Sequence, residues 1–244
     1  MAHCLTDLAY GQHARQVLDL VLPDRPNPRL FVFIHGGGWR AGDKSQYRAL
    51  GELLANFGYA VALPNHRFAP EFPYPAALAD VAASVAWVMR YAPESGIRPD
   101  AVLLGGHSSG AHLASLLALH PEYRQSSSVA GVISISGVYD LQAYAQMGAE
   151  YLGPVFGDES SSWSDASPLS HVFQGAPPFF LAHAEFDYPG AGPQAESMAA
   201  ALRAVGSGVK LVNVPGRNHV TILTGVASLL DPLALGLAMF LRAC

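Results

Sequence analysis

A serine hydroxyl becomes a nucleophile only when a neighbouring base removes its proton and a third group orients that base. The stretch Gly106-His107-Ser108-Ser109-Gly110 offers such a serine, between an apolar run and a segment of helical character. Where a strand turns sharply into a helix, the central residue is held exposed, and flanking residues without a Cβ let the two segments pass closely. Ser108 is therefore the candidate nucleophile. Downstream, the apolar residues 179–182 lead into His183-Ala184-Glu185-Phe186-Asp187, and residues 210–214 lead into Pro215-Gly216-Arg217-Asn218-His219. Asp187 is the candidate orienting acid because it lies further into its loop, with Glu185 as the alternative. His219, just past a strand, is the candidate base, and the order serine, acid, histidine suits one sheet edge.

Acyl transfer also needs donors aimed at the oxyanion that develops on the carbonyl. His35-Gly36-Gly37-Gly38-Trp39 supplies backbone amides unobstructed by side chains. Gly37 and Gly38 are the candidate donors, with the Ser109 amide as a third, and His35 is expected to brace the loop. The competing reading of each motif is a glycine-rich turn, a solvated acid or a surface histidine. Two such glycine turns with acid and histidine in order favour the chemical reading. His107 is expected to be held in the turn and His112 to begin the helix, while His3, His13 and His120 lie in surface-like contexts. No H-E-x-x-H pattern and no paired Cys/His spacing occurs, so neither a catalytic metal nor a cofactor is expected.

The elements that must carry these residues alternate. Strands are predicted at residues 16–22, 30–34, 59–63, 101–104, 129–135, 178–182 and 209–214. Helices are predicted over 45–57, with Ser45 as N-cap, and over 75–90, 111–119 and 193–205. This is the pattern of an α/β fold with a mostly parallel sheet flanked by helices. Residues 141–173 break the alternation with Gly153-Pro154, Ser160-Ser161-Ser162 and Trp163. They are expected to form a short, lid-like excursion above the carboxyl ends of the strands, where α/β sheets bind ligands.

A chain of 244 residues with 50% apolar and only 14% charged residues is expected to bury a large core as one domain, 1–244. The net charge of −5 and scattered basic residues leave no footprint for nucleic acid. Cys4 and Cys244 are expected to be free thiols in a reducing cytoplasm. No leader is expected before the first strand, and the apolar tail 229–241 is too short to span a membrane and is broken by Asp231-Pro232.

Taken together, His35-Gly-Gly-Gly-Trp39, Asn65-His-Arg-Phe-Ala-Pro70, Pro73-Tyr-Pro-Ala-Ala-Leu-Ala-Asp80 and Gly106-His-Ser-Ser-Gly110 resemble the α/β-hydrolases. Within that fold they resemble the hormone-sensitive-lipase-like and small carboxylesterase group, with Ser136-Gly-Val-Tyr-Asp140 and Ser167-Pro168 as weaker additions. The resemblance implies cofactor-free hydrolysis of small-molecule carboxylic esters through an acyl-enzyme. It places Ser108, His219, Asp187, Gly37 and Gly38 in the roles just derived. About thirty residues precede the first glycine loop, too few for the helical cap of the group's longer members, so the cap is expected to be minimal. Gly216-Arg-Asn-His219-Val-Thr-Ile222 and the Gly-Asp-Lys after Trp39 also resemble kynurenine-formamidase-like and feruloyl-esterase-like hydrolases.

A minimal cap leaves an open pocket, suited to short acyl groups. Trp39, Tyr139 and Phe186 are the expected substrate-binding walls, with Tyr151 and Phe156 as further candidates. Hydrolysis of an aryl formamide is the alternative activity, and an inactive hydrolase-fold binding protein is the alternative from another class.

Overall fold

The computed structural model describes residues 2–124, 128–147, 152–224, 226 and 231–243. Cys244 and Tyr151 lie outside the described residues. Eight strands form one sheet: β1 (His3–Ala9), β2 (Val17–Leu22), β3 (Arg29–Ile34), β4 (Tyr59–Pro64), β5 (Arg98–His107), β6 (Val129–Ile135), β7 (Phe179–Phe186) and β8 (Val209–Asn218). Their order is β1-β2-β4-β3-β5-β6-β7-β8. β1 pairs antiparallel with β2, and β2 with β4, while every later pairing is parallel.

The helices are α1 (Arg48–Asn56), α2 (Ala76–Tyr91), α3 (Ser109–Leu119), α4 (Leu141–Ala145), α5 (Gly153–Phe156), α6 (Ser160–Asp165), α7 (Ala191–Ala204) and α8 (Pro232–Ala243). Side chains along β3 show how the layers form. Leu30, Val32 and Ile34 join one apolar cluster with residues of α2, α3 and α7, whereas Phe31 and Phe33 join the cluster on the other face with residues of α1 and α8. A strand covered on both faces must be apolar at successive positions, which is why 30–34 is an unbroken apolar run. Every residue of α3 is buried, so the helix behind Ser108 runs through the interior.

Sheet register decides which loops meet. Ile34 is level with Gly106, His107 with Ile135, and Ile135 with Ala182. The segments that follow β3, β5, β6, β7 and β8 therefore leave from one edge of the sheet.

Several sequence expectations are corrected. β1 was not foreseen: its residues are mostly exposed or half-buried, as suits an edge strand, so no apolar run announces it. The 45–57 helix begins as a 3-10 turn at Lys44–Tyr47, and its cap is Asp43 rather than Ser45. The Asp43 side chain accepts from Ser45 N–H at 3.0 Å while Gln46 Oε1 accepts from Asp43 N–H at 3.4 Å, a reciprocal capping box. His120 is buried at 6% exposure, because α6 and the 3-10 turn Pro168–His171 cover it.

Part of the excursion is folded into the core. Leu141, Leu152, Val155, Phe156 and Ala166 are buried, and Phe156 packs edge-on against Trp39 at 4.9 Å between ring centroids. Among the described residues no helix is long and apolar enough to cross a membrane.

Candidate active site

Ser108 sits between β5 and α3 with φ 56° and ψ −123°, a left-handed conformation a non-glycine residue adopts only under constraint. The constraint is the close passage of strand and helix. A Cβ on Gly106 would stand 2.4 Å from Gly110 C and O, and one on Gly110 would stand 2.2 Å from Ile34 O. Both glycines of the pentapeptide are therefore required by packing.

His219 follows β8 and places Nε2 3.0 Å from Ser108 Oγ. Its Nδ1–H donates to Asp187 Oδ1 at 2.6 Å. This leaves Nε2 with its lone pair directed at the serine, the tautomer a general base needs. Asp187, just past β7, also accepts from Ser136 Oγ at 2.6 Å, Ala184 N–H at 2.9 Å and Tyr188 N–H at 2.9 Å. Burial alone would raise its pKa, but the bonds from His219, Ser136, Ala184 and Tyr188 outweigh it and hold the carboxyl at about 2. Glu185, the alternative acid, is turned away and accepts from Gly216 N–H at 2.8 Å.

The glycine loop after β3 bends beside Ser108. Gly37 has φ 133°, and a Cβ there would lie 2.0 Å from Ala41 O. Gly38 has φ 61°, and a Cβ there would meet nothing within 4 Å, so that face of the loop borders open space. Gly37, Gly38, Ser108, Ser109 and His219 all line one cavity of about 940 Å³. His35 Nδ1–H donates to Gly36 O at 2.8 Å and its ring stacks on His66 at 4.6 Å, which braces the loop. Burial, reinforced by the neighbouring His66, lowers its pKa to about 3, so it stays neutral.

Of the expected pocket walls among the described residues, only Trp39 borders this cavity. Trp39 is itself buried, with Nε1–H donating to His112 Nδ1 at 3.1 Å, and His112 Nε2–H donating to Ala166 O at 2.7 Å. Tyr139 is fully buried, its hydroxyl 2.8 Å from Ser134 Oγ, and Phe186 is 65% exposed at the end of β7; neither borders the cavity. The apolar wall comes instead from Tyr47, Leu50, Leu53, Tyr188, Leu223 and Val226. From the described part of the excursion, Tyr144 alone reaches it.

Tyr47, which sequence reasoning passed over, and His107, expected only to be held in the turn, tie the site together. Tyr47 accepts from Gly36 N–H at 3.1 Å and stands 3.0 Å from His107 Nδ1. His107 Nε2–H donates to His219 O at 2.9 Å, so Nδ1 is the acceptor for the Tyr47 hydroxyl. One chain of bonds thus joins the glycine loop, the turn at Ser108 and the main chain of His219. The G-x-S-x-G pattern marks position 107 but not its residue type, and Tyr47 carries no motif. Ser136 belonged to a weak motif whose purpose, holding Asp187, emerges only when β6 lies beside β7. Asn65 and Arg67 serve the frame: Asn65 Oδ1 accepts from Lys44 N–H at 2.7 Å, and Arg67 makes a two-pronged pair with Asp80.

A mostly parallel eight-stranded sheet, with the serine turn after β5 and the acid and histidine after β7 and β8, defines an α/β-hydrolase fold. The BD-FAE family model matches residues 18–202, and the chain belongs to that family. It is 30% identical over 239 residues to esterase LipQ of Mycobacterium tuberculosis, covering 88% of this chain and 56% of LipQ. It is 26% identical over 167 residues to kynurenine formamidase of Drosophila melanogaster, covering 66% of this chain and 55% of that protein. Among solved structures, esterase B from Lactobacillus rhamnosis superposes with a TM-score of 0.83 at 25% identity, over 99% of this chain and 84% of that one. The chain spans 56%, 57% and 63% of the length of the mycobacterial esterases it matches.

Proposed function

We propose that the chain is a serine hydrolase that cleaves small, short-acyl carboxylic esters through an acyl-enzyme, without a cofactor. The observation that carries this reading is the unbroken line Ser108 Oγ, His219, Asp187 at 3.0 and 2.6 Å on the wall of an open cavity. Ser108 Oγ attacks the ester carbonyl while His219 Nε2 takes the hydroxyl proton. The carbonyl oxygen, now an alkoxide, is met by the amides of Gly37, Gly38 and Ser109, the last an amide of the first helical turn without an intrahelical acceptor. Collapse re-forms the carbonyl and breaks the bond to the alcohol, which leaves with the proton from His219. Water then enters by the same route and frees the acid. Asp187, ionised at any working pH, fixes the His219 tautomer and stabilises its charged form.

Short acyl groups fit an excursion whose described residues lend only Tyr144 to the cavity wall, since little of it encloses a long chain. The ester class is supported by the esterases the chain matches. A cytoplasmic setting belongs to this reading, supported by the free thiol of Cys4. A second reading, hydrolysis of an aryl formamide by the same groups, is favoured by the likeness to the Drosophila kynurenine formamidase.

A panel of p-nitrophenyl esters run beside N-formylkynurenine tests both readings. Acetate and butyrate esters are expected to give the highest kcat/KM. A maximum at decanoate or longer overturns the short-acyl reading, and faster turnover of the formamide replaces the first reading with the second. Ser108→Ala should lower kcat by at least about 10⁴-fold. It should also abolish labelling by a fluorophosphonate. A wild-type chain that neither reacts with the probe nor turns over the panel is a binding protein instead.

A further inference from the structure

At the end of α3 remote from Ser108, three side chains from three segments converge. His120 follows the last residue of α3, Asp165 ends α6, and His171 ends the 3-10 turn Pro168–His171. One ligating atom from each lies within 4.8 Å of the others. We propose that these three residues form a binding site for a divalent transition-metal ion, zinc being the best fit, which pins the 160–171 segment to the carboxyl end of the nucleophile helix.

The donor set selects the ion. Two imidazoles and one carboxylate suit zinc and its neighbours, whereas calcium and magnesium take oxygen shells. The outer partners that orient such ligands are already in place. Tyr74 O–H donates to Asp165 Oδ2 at 2.7 Å, leaving Oδ1 on the side of His120. His171 Nε2–H donates to Asp165 O at 2.6 Å, which leaves the lone pair on Nδ1.

His120 Nε2 now faces Asp165 Oδ1 at 3.2 Å, and its Nδ1 accepts from Glu122 N–H at 3.3 Å. A metal at Nε2 moves the ring proton to Nδ1, gives up the long contact from Glu122 N–H, and replaces the Nε2–H bond to Asp165 Oδ1 with bonds from both atoms to the ion. A tetrahedral shell with bonds near 2.1 Å sets ligand atoms about 3.4 Å apart, so the cluster must close by about an ångström. Buried His120, at 6% exposure, is the fixed ligand, whereas Asp165 at 52% and half-buried His171 have room to turn toward it. Water completes the shell. Eleven helical residues separate the site from Ser108, about 17 Å along α3, so the ion holds structure rather than touching the reaction.

The test is calorimetric titration of zinc chloride into untagged chain stripped with chelator, with thermal unfolding followed in parallel. One zinc per chain and a rise in Tm of several degrees are expected. His171→Ala, a half-exposed truncation that leaves the fold intact, should remove the Tm rise and weaken binding at least about tenfold, as should Asp165→Asn. His219→Ala should bind zinc as the wild type does, because the Ser108 site is a second place where imidazole and carboxylate meet. Absence of stoichiometric binding up to millimolar zinc overturns the proposal. So does binding that survives in the His171→Ala/Asp165→Asn double variant, or that is lost in His219→Ala.

Discussion

Ser109 Oγ is buried and has no hydrogen-bond partner among the described residues. Its neighbour Ser108 has the most demanding hydroxyl in the molecule, yet the two differ by one position. The turn explains the difference: Ser108 projects from the left-handed bend into the cavity, whereas Ser109 starts α3 with its side chain turned inward. Only the Ser109 amide is assigned a task. Ser109→Ala should therefore leave kcat/KM within about twofold of wild type. It should also raise stability by up to about 1 kcal/mol, since an unpaired buried hydroxyl costs roughly that much or more. Urea unfolding and an ester assay check this together. A large loss of activity would mean that the hydroxyl, and not the amide, serves the reaction.

At the scale of elements, the site depends on loops from separate strands keeping a fixed spacing, and the Tyr47–His107 bridge holds three of them. Tyr47→Phe keeps the ring that lines the cavity but leaves Gly36 N–H and His107 Nδ1 without their partner. A stability loss of about 1–3 kcal/mol is expected. A fall in kcat of roughly tenfold to a hundredfold should accompany it, because small displacements of oriented groups cost that much. KM should move less, and a kcat within twofold of wild type would show that the bridge carries no positioning role. This bridge also marks the limit of sequence reading. The strands from β2 onward were legible, most of them because burial on both faces demands apolar runs such as 30–34 and 59–63. Ser108 and Asp187 were legible because each follows such a run, and His219 because it lies past the next strand in the order serine, acid, histidine. Tyr47, Ser136 and His120 were not, since their partners lie 60, 51 and 45 residues away and no local pattern encodes the meeting. The cavity wall failed for the same reason. Tyr139 and Phe186 sit beside the right loops in sequence, but the wall is built by the α1 region, Tyr144, Tyr188 and the segment after His219.

The whole molecule carries a cluster of neutral imidazoles in its interior. His35, His66, His107 and His112 are buried, and burial lowers their pKa values to about 3, 4, 4 and 4. In the unfolded chain each would titrate near 6.5. Above that pH both states are neutral and these groups leave stability unchanged. Between about pH 6.5 and 4 the unfolded chain holds up to four more protons than the folded one, so stability falls as pH falls. Each proton contributes about 1.4 kcal/mol per pH unit, or about 5 kcal/mol per unit for the four together. Over one and a half units the loss reaches about 8 kcal/mol, comparable with the whole stability of a typical domain. Asp187, depressed to about 2, adds to the loss only as pH falls below the ordinary carboxylate range. Acid unfolding is therefore expected with a midpoint near pH 5, before the carboxylates titrate. Unfolding free energy measured by urea at successive pH values should show the slope. His112→Gln, which removes one of the four groups, should reduce that slope by about one quarter while lowering stability at neutral pH through the lost Trp39 and Ala166 bonds. A stability profile that stays flat down to about pH 4 would mean that these histidines take up protons in the folded chain and that the interior is more open to water than its packing implies.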